Sequence, residues 1–265
     1  MSSCPSRRVT ATGSSSWCED DRVTHLFDTA VAALDLPRHW SWRVEVRRRR
    51  RTVGLEVHPD GSIVFAVPAD AEPEQVARIV RSRQLWLARA VRRRAALAAE
   101  HPAKEIVNGE GFEYLGRHYR LLLVDDQVIP VSLRGGWLQV QRSGQGASAI
   151  IDWYRIRGQR WLVDRVASWA GQVGVDKPDV VVRDLGTTWG LRDRNHGIAF
   201  HWAAVQLPAR LLDLIVVHEL VHLAVARHDN EFRRRVLLAL PDALELEAEL
   251  AQAGRHVWMG ALRVT

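Results

Sequence analysis

Apolar and polar positions change period several times along this chain, and each change marks an element. From Trp42 to Val46 they alternate, as on a half-buried strand. The alternation returns at Val53, Leu55 and Val57, and again at Ile63, Phe65 and Val67. Between the last two runs, His58-Pro59-Asp60-Gly61 has turn chemistry, which predicts a β-hairpin. The period then becomes helical. Glu72-Pro73-Glu74 opens a helix that the stripe Val76, Ile79, Val80, Leu87 and Val91 carries in one piece to about Ala99. Acids in its first turn and Arg92-Arg93-Arg94 further along suit the helix dipole. Short strands are expected again over 106–115, around a turn at Asn108-Gly109, and over 119–124, 128–133 and 137–140.

Beyond residue 146 the pattern is mainly helical. Residues 147–171 carry apolar side chains on more than one side, so this helix belongs at the centre of the second half. Strands are expected at 179–183 and 198–202, the charged stretch 192–197 forming a loop before the second. Pro208 suits the first turn of a further helix, Asp229 suits an N-cap, and Pro241-Asp242 precedes a last helix over 244–251. A short helix is expected at 21–34. The resulting division is a disordered tail at 1–20, rich in Ser, Thr and Gly, and a β-rich subdomain with one long helix at 21–145. A core at 146–252 and a tail at 253–265 follow. The fold class is α+β.

The helix after Pro208 carries the chemistry. It reads His218-Glu219-Leu220-Val221-His222, with His228 six residues further on. On a helix, residues four apart share a face, so both imidazoles can reach one Zn2+ at about 2.0–2.1 Å. Glu219 is placed to take a proton from water at the metal. Two His and one Glu among Leu211, Leu212, Leu214, Ile215, Val216 and Val217 call for a compensating ligand, because neither type is a good core residue unpartnered. If the helix ran on, His228 would be turned about 120° from His222. The helix must therefore end near Ala226 for His228 to be the third ligand. A glutamate of the last helix, Glu245, Glu247 or Glu249, is the alternative.

Composition narrows the picture less. At 265 residues and 30.0 kDa, with 47% hydrophobic and 26% charged residues, the chain is globular. The net charge of +6 comes almost wholly from arginine, since Lys104 and Lys177 are the only lysines among 37 basic residues. The runs Arg47–Arg51 and Arg92–Arg94 suit either solvated surface or weak nucleic-acid contact. Cys4 and Cys18 imply no disulfide framework and leave no cysteine near the His cluster. There is no apolar leader and no run of the ~18 apolar residues that a membrane span requires, so the expected compartment is the cytoplasm with no membrane partner.

From Leu207-Pro208 through His218, Glu219, His222 and His228 to Phe232, the chain resembles the YgjP-like metallopeptidases, which are related to the SprT-type zinc metalloproteases. Upstream pieces follow that family's order: Pro59-Asp60-Gly61, Arg81-Ser82-Arg83 with Trp86, Asn108-Gly109-Glu110, Tyr114-Leu115-Gly116, Trp153-Tyr154-Arg155 and Trp189-Gly190. The resemblance covers roughly residues 42–250. It implies a zincin-like domain holding one zinc ion through His218, His222 and His228, with Glu219 as general base, acting on a peptide or protein substrate. Three departures stand out: Leu191-Arg192-Asp193 where Ser-Cys-Ser is common, His201-Trp202 where Asn-Trp is frequent, and Val225-Ala226-Arg227 without the usual helix breaker. Tyr154, His201 and Arg192 are candidate oxyanion donors. The competing reading is a metal-stabilised module that binds nucleic acid or protein with little peptidase activity.

Overall fold

A computed structural model describes residues 15–58, 61–125, 127–142, 146–193 and 197–263. The expected disorder of 1–14, two of the turn residues (Pro59 and Asp60) and the loop residues Arg194, Asn195 and His196 lie outside the described residues. The chain forms two compact units, residues 1–92 and 93–265, so the division falls well before the expected 145/146 boundary.

In the first unit, helix α1 (Ser15–Ala32) begins earlier than expected, and residues 15–20 are helical rather than a tail. Strands β1 (Trp42–Val46), β2 (Gly54–Val57) and β3 (Ile63–Val67) form one sheet in the order β1-β3-β2. The predicted hairpin is β2–β3, antiparallel, and β1 lies parallel to β3. Central β3 is buried at every position, which is why all five of its residues are apolar. Phe27, Val31, Val44, Phe65, Val76 and Leu87 are part of this unit's core.

The single helix expected from 72 to 99 is two: α2 (Pro73–Ser82) and α3 (Gln84–Glu100). Arg83 leaves helical geometry at φ −108°, ψ 5°. The Ser82 hydroxyl donates to the Ile79 carbonyl at 2.9 Å and competes with the backbone ladder at that turn.

The second unit contains two sheets and the central helices. Strands β4 (Gly111–Tyr114), β5 (Arg117–Val124), β6 (Val131–Arg134) and β7 (Trp137–Gln141) pair in the order β4-β5-β7-β6. Phe112, Leu121, Leu138 and Val140 share one core with the long helix α4 (Ala147–Val173) and with α5 (Ala209–Ala224). That shared core explains why these strands group with the C-terminal part. Val128, expected to open a strand, is fully exposed ahead of β6.

The other sheet, β8 (Val180–Arg183), β9 (Gly190–Arg192) and β10 (Ile198–His201), has the order β8-β10-β9 and so places β9 at an edge. A 3-10 turn over Trp202–Gln206 leads to α5 and packs closely on α4, because Gly158 has no Cβ to meet Val205. Arg165 and Trp169 of α4 both donate to the Asp213 carboxylate of α5, the indole at 3.0 Å. α6 (Asn230–Ala239) and α7 (Ala243–Ala253) follow.

The segment after 253 is core rather than tail. Val257, Trp258 and Met259 are buried, and Gln206 clamps Trp258 by donating to its carbonyl at 2.8 Å and accepting from its N–H at 3.2 Å. Among the described residues no helix is long and apolar enough to cross a membrane.

Candidate metal centre

His218 and His222 stand one turn apart near the C-terminal end of α5, a helix buried along most of its length. The helix stops at Ala224, and Val225 takes an extended conformation (φ −129°, ψ 110°). No proline is needed, because two interactions hold the exit. The Val225 carbonyl accepts the Nδ1–H of His222 at 3.1 Å, and Asp229 caps α6 by accepting from the Phe232 N–H at 3.0 Å. The extended link between them brings His228 back over the helix end.

The three Nε2 atoms converge. His222 to His218 is 3.2 Å, His222 to His228 is 3.0 Å, and His228 to His218 is 3.0 Å. Phe232 backs all three rings, with centroid distances of 4.9, 4.5 and 4.6 Å to His218, His222 and His228. Because His222 donates its Nδ1–H to a carbonyl, its Nε2 presents a lone pair to the cluster. Nitrogen lone pairs aimed at one point repel unless a cation lies among them. A tetrahedral metal with bonds of about 2.0–2.1 Å sets its ligands ~3.3 Å apart, so the spacing fits. Burial, then the charges of its two neighbours, push the His218 imidazole down to about 4; burial also lowers His222. Both are therefore neutral, as metal ligands must be, at pH 7.

Among the described residues this is the one group of three or more potential ligands able to hold a metal ion, and it contains no glutamate. Glu249 instead pairs with Arg210, Glu245 is exposed, and Glu247 lines the neighbouring cavity.

That cavity, about 830 Å3, is bounded by the three His, Glu219, residues 187–192 and parts of α5 and α7. Glu219 is buried apart from its tip and has no hydrogen-bond partner among the described residues. Burial raises its carboxyl to about 7. Opposite it, a Cβ on Gly190 would fall 2.7 Å from the Glu219 Cγ. Only a residue without a side chain lets edge strand β9 approach the carboxylate so closely. Trp189 walls the cavity beside it, and Gly254 leaves room for the indole.

Of the three candidate oxyanion donors, only Arg192 lines this cavity. Tyr154 is fully buried and donates to the Glu113 carbonyl at 2.6 Å. His201 is fully buried too, its Nδ1 accepting from the Ala203 N–H at 3.0 Å and its Nε2 lying 3.3 Å from Asp184.

A family profile described as YgjP-like, metallopeptidase domain, matches residues 51–253. The chain belongs to the YgjP-like metallopeptidase family. No curated protein and no solved structure matches it. Membership implies a metal cofactor, and the His cluster lies inside the matched span. Several contributions to the site left little trace in the sequence. Trp189-Gly190 was visible as a pair, but its approach to Glu219 was not. The Val225 carbonyl carries no side-chain signal at all, and Phe232 reads as an ordinary core residue of α6.

Proposed function

We propose that this chain is a zinc-dependent peptidase with His218, His222 and His228 as ligands and Glu219 as general base. The observation that carries the reading is the convergence of three Nε2 atoms within 3.2 Å of one another beside a carboxyl raised to about 7. Three imidazoles favour zinc over magnesium or calcium. When bound, zinc supplies a Lewis acid that polarises a carbonyl and acidifies water.

The chain's own residues do the rest. Glu219 accepts the proton of the attacking water at its carboxylate and returns it to the departing amine. With no hydrogen-bond partner among the described residues, its oxygens are available for that exchange, and a carboxyl tuned near neutrality serves both directions. Edge strand β9 lies along the cavity and offers backbone donors and acceptors, so an extended peptide can pair with Gly190–Arg192. The Arg192 side chain is the one charged donor of the cavity wall in that stretch.

Two variants test this. Glu219→Gln is expected to retain one zinc per chain and lose peptide cleavage by at least 100-fold; cleavage at the wild-type rate would sink the mechanism. His228→Ala is expected to lose tight zinc in metal analysis, and full retention would remove the third ligand.

A further inference from the structure

Three arginines of the two runs noted in the sequence are neutralised. Arg47 and Arg50 share the carboxylates of Glu45 and Glu56, with Arg47 to Glu56 at 2.8 Å and Arg50 to Glu56 at 3.2 Å. Arg94 turns inward to Asp184. On α2 and α3 the situation differs. Residues 75–92 hold five arginines, Arg78, Arg81, Arg83, Arg89 and Arg92, and no acidic residue. All five are exposed, and none has an ion pair or hydrogen-bonded acceptor among the described residues.

Leu85, Arg89 and Arg92 recur at i, i+4 and i+7 on α3 and so share its outer face. Beside them Trp86 is 47% exposed. A half-exposed indole thus stands on a helix that also carries unneutralised guanidinium groups. The same combination suits a single-stranded nucleic acid: guanidinium groups bind phosphates, and an aromatic face stacks a base.

We propose that the outer face of α2 and α3, centred on Trp86 with Arg81, Arg83, Arg89 and Arg92, binds single-stranded nucleic acid. The alternative anionic partner is a lipid surface, which requires a helix with a broad apolar face turned outward. On α3 the apolar side, Leu87 and Val91, packs into the unit's core, and among the described residues Leu85 and Trp86 are its large apolar side chains left outside. This inference stands apart from the peptidase reading and holds or fails without it.

The test is fluorescence anisotropy of the full chain with a labelled oligothymidylate of about 20 nucleotides across a salt series. Binding is expected at low salt, with log affinity falling linearly in log salt. The double variant Arg89→Gln/Arg92→Gln is expected to flatten that slope by about 1.4. Trp86→Ala is expected to weaken binding ~10-fold with the slope unchanged. Arg117→Gln/Arg120→Gln removes the same charge from exposed positions of the second unit and serves as control. Absence of binding at low salt overturns the proposal. So does an equal effect of the two double variants, which reduces the effect to net charge, or an unchanged affinity in Trp86→Ala. Tighter binding to phosphatidylserine vesicles than to the oligonucleotide assigns the face to a membrane and likewise overturns it.

Discussion

Glycine at 190 matters because of what stands opposite. A methyl group there would sit 2.7 Å from the Glu219 Cγ and 2.8 Å from its Oε1, so Glu219 or β9 would have to move. Gly190→Ala is expected to leave zinc content intact while lowering kcat by about 100-fold, the scale of a 1 Å misplacement of a reacting group. Metal analysis alongside cleavage kinetics checks it, and an unchanged kcat would show that the carboxylate tolerates the shift. His218, Glu219 and His222 are legible at this scale because their chemistry is conspicuous in the apolar setting of a buried helix. Gly190 and Phe232 are legible in the sequence only as parts of the family pattern, since a glycine or a phenylalanine announces nothing about the neighbour it faces.

At the scale of elements, the site depends on how α5 ends. His228 joins the cluster because the chain leaves the helix at Val225 and is caught again by the Asp229 cap. Asp229→Ala is expected to cost about 1 kcal/mol of stability and to weaken zinc binding measured by chelator competition. Stability loss with unaltered zinc affinity would separate the cap from the site. Within the second unit, Arg94 pairs with Asp184. Burial by itself would raise the Asp184 carboxyl, but hydrogen bonds from His201 and Arg94 outweigh it and hold the group well below the usual carboxylate range. His201 stays neutral, lowered by burial, and its Nδ1 already accepts a backbone N–H. A depressed carboxyl contributes stability that is complete above its unfolded value near 4 and is lost as pH falls further. Asp184→Asn is therefore expected to cost about 2 kcal/mol at pH 7 in denaturant unfolding, the difference shrinking below pH 4. A difference that stays constant to pH 2 would rule out the charged pair as its source. The missed break at Arg83 belongs to this scale too. Nothing in the apolar stripe changes phase there, and a single serine hydroxyl bonded back to Ile79 leaves no periodic signal.

For the whole molecule, the largest revision concerns which segments belong together. Residues 106–141 read as companions of the N-terminal strands, yet they pack with α4 and α5, and the last turn of chain closes that same core. Trp258 touches Phe112 and Trp202, with ring centroids 5.3 and 5.8 Å apart, and is fully buried. Trp258→Ala is expected to destabilise the protein by about 3–5 kcal/mol in chemical unfolding, whereas a true tail would tolerate it. By itself the sequence determined the elements with strong periods, the α+β class, the family and two imidazoles with a glutamate on one helix. All of these follow from neighbours within a few residues, where helix and strand geometry turn spacing into position. Only the tertiary structure decided the rest. It placed His228 with the other two, brought β9 against Glu219, and sorted the arginines into neutralised and free. Those outcomes depend on contacts between residues far apart in the chain, and local spacing does not encode them.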